Sequence, residues 1–151
     1  MVHLPLRKKT LLEEMGVTKK HLLPSLSMSI MVTAFGLVLL TLYGIATRTL
    51  NFSSFDLGYF AYYALLSAPA QELFFRGFVQ SKLYKLGNPL FAIIITAVVF
   101  SLVHFYYGIH LTLFTFPVGL VWSLMMWRRP NILGPILSHI ILGQFIFQFI
   151  L

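Results

Sequence analysis

Within its apolar stretches the chain carries four ionisable side chains of the types that do hydrolytic chemistry. Glu72 and Arg76 stand four residues apart in APAQELFFRG, His104 closes FSLVH, and His139 lies in GPILSHIILG. A partly desolvated carboxylate can take a proton from water, and an imidazole can orient that water or donate a hydrogen bond to it. A second imidazole can steady the oxyanion that forms when water adds to an amide carbonyl. Peptide hydrolysis is therefore within reach of this set. The same Glu-His-His set could hold a zinc ion for metal-assisted hydrolysis, or form a polar track for proton or ion transport. Each residue also has a purely structural use. Glu72 and Arg76, at i and i+4, meet on one helix face and can pair, while a histidine in an apolar helix can bridge two helices by a hydrogen bond. The chain has no cysteine, so thiolate nucleophiles, thiolate metal ligands and disulfides play no part.

The elements that must position these groups follow from composition. Of the 151 residues 58% are hydrophobic and 10% charged, whereas soluble domains carry about 25% charged residues. The net charge is +7, but the cations sit in short clusters between apolar runs, which marks them as topology signals and argues against a nucleic-acid partner. A membrane-crossing helix needs roughly 20 apolar residues. Five stretches qualify: 22–46, 57–82, 89–107, 109–127 and 131–151. The expected fold is all-α, a polytopic transmembrane helical bundle of about five spans in the lipid bilayer. Arg7, Lys8, Lys9, Lys19, Lys20, Lys82, Lys85, Arg128 and Arg129 all fall on one side if the amino terminus is cytoplasmic, and only Arg48 opposes them. Trp122, Trp127, Tyr106 and Tyr107 are expected near span ends, as interfacial aromatics. His110 belongs to an outer loop.

Residues 1–21 read as a cytoplasmic amphipathic lead-in, with Leu11, Leu12 and Met15 at helical spacing and Gly16 as the stop. Residues 22–151 form one transmembrane domain. An ionisable residue inside it must face the bundle interior, because lipid offers no partner. Counted along the helices at 1.5 Å per residue, Glu72, His104 and His139 lie at depths of about 15, 24 and 12 Å. Helix tilt could bring them to one point, which the spacing alone does not establish.

The residues that carry this chemistry resemble those of the CAAX prenyl protease and bacteriocin-processing family of intramembrane endopeptidases. QELFFRGFVQSKL is similar to its first motif, two adjacent glutamates followed after three residues by arginine, with a leucine beyond. FSLVH, from Phe100 to His104, resembles the second motif, Phe-x-x-x-His. NILGPILSHIILG resembles the approach to the third, a histidine followed after three residues by Asn or Asp. The likeness runs over residues 59–147.

The resemblance implies a helical bundle with a cavity inside the membrane, in which Glu72, His104 and His139 are catalytic and Gln71, Arg76, Phe100 and Gly143 support them. It implies hydrolysis of a peptide bond in a membrane-associated or prenylated substrate by glutamate-activated water, without a cofactor or metal. Two positions depart from the pattern: Gln71 replaces the first glutamate, usually the base, and Gly143 replaces an oxyanion donor. Either Glu72 serves as the base, with Gln71 or Gln144 supplying hydrogen bonds, or the chain is a non-catalytic member acting as a membrane immunity, binding or regulatory protein. Gln71 and Glu72 are about 100° apart around a helix, so the first alternative needs a local rotation or unwinding, for which Pro69 is placed. An additional membrane subunit is a further expected partner, able to complete a five-span bundle.

Overall fold

The computed structural model describes residues 10–52 and 55–151, and in these residues it is all-helical. A short α1 (Leu11–Glu14) precedes the long α2 (Leu22–Thr47). An unbroken helical run follows, made of α3 (Leu57–Tyr62), a π-helical stretch (Tyr63–Ser67), α4 (Ala68–Glu72), a second π-helical stretch (Leu73–Val79) and α5 (Gln80–Tyr84). Then come α6 (Pro89–Leu102), continued by a 3₁₀ turn (Val103–Tyr107), α7 (Ile109–Arg128) and α8 (Leu133–Phe149). Three of these are long and apolar enough to cross a membrane: Leu22–Thr47, Pro89–Tyr107 and Ile109–Arg128. α8 is apolar but shorter, and the run from Leu57 to Tyr84 is interrupted by its ionisable residues and π turns.

Local chemistry sets the helix ends. Asn88 accepts hydrogen bonds from the backbone of Leu90 and Phe91 at 3.0 and 3.2 Å, with Pro89 in the first turn, where a missing N–H costs nothing. Asp56 caps α3 through Tyr59 N–H. Thr10 and Glu13 form a reciprocal capping box on α1.

The helices pack as α6 on α7 and α2 on α8. Along α2 the buried residues are Ser25, Ser29, Thr33, Gly36, Leu40 and Gly44, a stripe of mostly small side chains at helical spacing. Their size lets the backbones approach, which is how helices associate when lipid removes the hydrophobic drive. A methyl group at Gly36 would lie 2.8 Å from Leu142, and one at Gly134 would lie 2.7 Å from the backbone oxygen of Ser25. The outer face of α2, with Leu23, Ile30, Met31, Phe35 and Leu42, is exposed, as suits contact with lipid.

One end of the bundle collects the turns that carry the cations. Ile132 N–H donates to Gly16 O, the buried amide of Asn131 donates to the carbonyls of Thr18 and Lys20, and Lys85 pairs with Glu14 at 3.0 Å. The lead-in is therefore clipped to the turns before α6 and α8. Within it, Leu11 and Leu12 are exposed while Met15 packs on Gly77. Residues 1–9, with Arg7, Lys8 and Lys9, lie outside the described residues.

Candidate active site

The site is built on the irregular helix between α3 and α5. Pro69 has no N–H to give and its ring crowds the carbonyl one turn back. The wider π turn immediately before α4 accommodates both defects. A second π stretch follows α4, so the five residues from Ala68 to Glu72 are re-registered on both sides. In this register Glu72 points inward and is fully buried. Gln71 is only half-buried and donates from Nε2 to Ser67 Oγ at 3.0 Å, one turn back on its own helix. The local unwinding for which Pro69 is placed takes the form of these π turns.

Glu72 Oε1 accepts from Arg76 Nη1 at 2.9 Å and from His139 Nδ1 at 2.8 Å. The expected i,i+4 ion pair is present, and a histidine from α8 has joined it. Glu72 Oε2 is buried with no hydrogen-bond partner among the described residues. Arg76 is 1% exposed, lies 4.0 Å over the Phe100 ring and donates through Nη2 to Gly119 O at 3.3 Å. One turn on, Gln80 donates to Ser123 O at 2.8 Å and to the hydroxyl of Tyr84. Arg76 and Gln80 at i, i+4 thus meet carbonyls at i, i+4 on α7, which fixes this helix in rotation and in height.

His104 sits in the 3₁₀ turn that ends α6, and its Nδ1 donates to Phe100 O at 2.7 Å. A carbonyl can only accept, so the neutral imidazole is the Nδ1–H tautomer and Nε2 carries the lone pair. The same logic applies to His139, whose Nδ1 faces a carboxylate. The two histidines meet across Phe100, whose ring is 4.6 Å from His104 and 5.5 Å from His139. They line one small cavity of about 20 Å³, together with Phe100, Tyr63, Trp122 and Gly143. A space of that size holds roughly one water. Glu72 lies behind His139, off the cavity wall.

The structure therefore brings Glu72, Arg76, His139, His104, Phe100 and Gly143 together, and leaves Gln71 facing Ser67. Gln144 also faces elsewhere: it donates to Phe60 O and accepts from Gln148. Among the described residues no three His, Asp or Glu side chains are grouped as metal ligands. His139 Nδ1 is spent on the carboxylate and His104 Nδ1 on a carbonyl.

Two residues of the site escaped the sequence reading. Trp122 is not an interfacial aromatic. It is 3% exposed, stacks on His139 at 4.7 Å, and donates from Nε1 to Ser138 Oγ at 3.0 Å. It lies mid-helix on the same face as Gly119 and Ser123, so burial against α8 overrides its affinity for an interface. Trp127, Tyr106 and Tyr107 are exposed at helix ends, as expected. The second is Tyr63, nine residues before Glu72 and buried against His139 at 5.8 Å between ring centres. The missing side chain at Gly143 hinted that something else fills that space, but not what.

The chain is thus a helical protein with membrane-length apolar spans in which a carboxylate, a guanidinium and two imidazoles are buried close together, the two imidazoles on the wall of a water-sized cavity. Residues 53–143, more than half of the chain, match the family described as Type II CAAX prenyl endopeptidase Rce1-like, and the chain belongs to that family. Comparison with curated proteins and with solved structures gives no match.

Proposed function

We propose that this chain is an intramembrane endopeptidase that hydrolyses a peptide bond of a membrane-associated or prenylated substrate, with water activated through Glu72. The observation that carries this reading is the Glu72–His139 hydrogen bond beside the cavity. Glu72 holds the Nδ1 proton of His139, which leaves Nε2 as the nitrogen free to meet a water in the cavity. Carboxylate and imidazole then act as one base. His139 Nε2 takes the proton of water while Glu72 stabilises the imidazolium, and Arg76 holds the Glu72 carboxylate in place. His104 Nε2 offers a second lone pair that orients the same water. The new N–H of His139 later delivers its proton to the leaving amine. This gives His139 a role nearer to Glu72 than the family motif implies.

The amino terminus is assigned to the cytoplasmic side. The support is that Lys19, Lys20, Lys82, Lys85, Arg128 and Arg129 lie in segments gathered at one end of the bundle. An additional membrane subunit belongs to the same proposal, since α8 and the Leu57–Tyr84 run are less convincing spans than the other three.

The deciding experiment is terminal-peptide mass spectrometry on membranes from cells expressing wild type or Glu72→Gln at matched levels. New peptide ends that appear with the wild type and fall by roughly 10³-fold or more in the variant are the expected result, since a mis-set imidazole tautomer costs on that order. Identical profiles from two inserted, folded proteins would move the assignment to a non-catalytic binding or immunity protein. That second reading is favoured by Gln71, which faces away from the histidines.

A further inference from the structure

Peptide hydrolysis needs a hydrogen-bond donor aimed at the carbonyl oxygen as it gains charge. The donors that line the cavity can be taken one by one. His104 Nδ1–H is given to Phe100 O, and His139 Nδ1–H to Glu72. Trp122 Nε1–H is given to Ser138 Oγ, and the Thr115 hydroxyl to Thr112 O. As neutral rings both imidazoles therefore turn lone pairs, not protons, toward the cavity. Among the described residues, the one hydroxyl or N–H on the side chains of that wall not given to a protein acceptor is that of Tyr63. Tyr63 as a whole is 4% exposed, so little of the residue meets bulk solvent.

The space around Gly143 points to the same group. A Cβ built on Gly143 would lie 1.9 Å from the Tyr63 hydroxyl oxygen and 2.5 Å from its ring carbon. Tyr63 thus reaches from the first π stretch into the volume that a side chain at position 143 would fill. Phe147, Tyr59 and His139 pack around its ring.

We propose that the Tyr63 hydroxyl is the oxyanion donor of this site, placed there from a different helix because position 143 is glycine. The proposal rests on the protease reading above. In the first step the water oxygen bonds to the carbonyl carbon, its proton passes to His139 Nε2, and the C=O π pair moves onto oxygen. That oxygen accepts a hydrogen bond from Tyr63, which keeps its proton. In the second step the pair returns, the C–N bond breaks, and the proton on His139 goes to the amine nitrogen. One water is consumed, giving a carboxylic acid and an amine.

The test uses the full chain in proteoliposomes and a peptide spanning the bond identified by terminal mass spectrometry. Tyr63→Phe keeps the ring and its packing, so KM and unfolding temperature should hold while kcat falls roughly 10²–10³-fold, the usual effect of one lost oxyanion donor. Tyr63→Gly combined with Gly143→Asn places an amide donor in the vacated volume and should exceed Tyr63→Gly alone by about tenfold or more in kcat, a partial recovery of that term. A Tyr63→Phe enzyme within twofold of wild type in kcat, or a double variant no faster than the single, overturns the donor while leaving the protease reading intact. A wild type that cuts nothing overturns both.

Discussion

α2 and the run from Leu57 to Tyr84 both bury polar groups inside a membrane bundle, and they do so by opposite means. α2 is a regular helix whose buried polar residues are Ser25, Ser29 and Thr33, short enough for α8 to close on them. The other run is α-helical and π-helical by turns, and its most deeply buried polar residues are long ones, Glu72, Arg76 and Gln80, with the short Ser81 at its end less deeply placed. A regular backbone with small side chains suits close packing. An irregular backbone gives up some hydrogen-bond geometry, and here it gains a choice of which residue faces the interior. The π turns expose that choice at Gln71 and Glu72, neighbours that differ by one carboxylate and end on different sides of the helix. α8 joins the two regions. Its Gly134 and Leu142 meet α2, while His139 and Gly143 meet the π-turn helix.

Four substitutions test this division. His104→Ala should lower the cleavage rate by roughly 10²-fold or more, the usual span for a lost acid–base group, with insertion and unfolding temperature unchanged; equal rates would remove His104 from the site. On the scaffold side, Gly134→Ala pushes a methyl into the Ser25 backbone and should destabilise the bundle by about 1–3 kcal/mol, as overpacking does, measured by unfolding in bilayers. Its residual folded fraction should cleave normally, and a specific loss of turnover would mean that the seam is not mere scaffold. Pro69→Ala removes the cause of the first π turn. It should leave stability equal or better but cut the rate by roughly tenfold to a hundredfold, since small misplacements of catalytic groups are costly. An unchanged rate would show that the π register does not set Glu72. The smallest effect belongs to Gln71→Glu, whose side chain faces Ser67, so the new carboxylate should alter the rate by less than about threefold, within the range of a substitution outside the site. A large rise would place a better base at position 71.

The resemblance of the motifs to a protease family was legible residue by residue, because QELFFRG, FSLVH and the stretch ending at His139 keep their order and spacing. So was the Glu72–Arg76 pair, which follows from helical periodicity alone. Trp122 was not, because a tryptophan within an apolar stretch is equally suited to an interface or to a ring stack. The role of Tyr63 was not, because a backbone with two π stretches turns residues 63 and 72 by angles that an ideal helix of 3.6 residues per turn does not give.

The sequence by itself determined that the chain is helical and membrane-embedded, since long runs without charge leave the backbone no other way to satisfy its hydrogen bonds in lipid. It also determined which ionisable groups had to face inward. Only the tertiary structure decided which of them touch. Glu72 binds His139 at 2.8 Å while His104 turns to its own helix, and Tyr63 stands where Gly143 leaves room. Those choices depend on helix rotation, on where α8 crosses and on a single missing Cβ, none of which is encoded in the spacing along one chain segment.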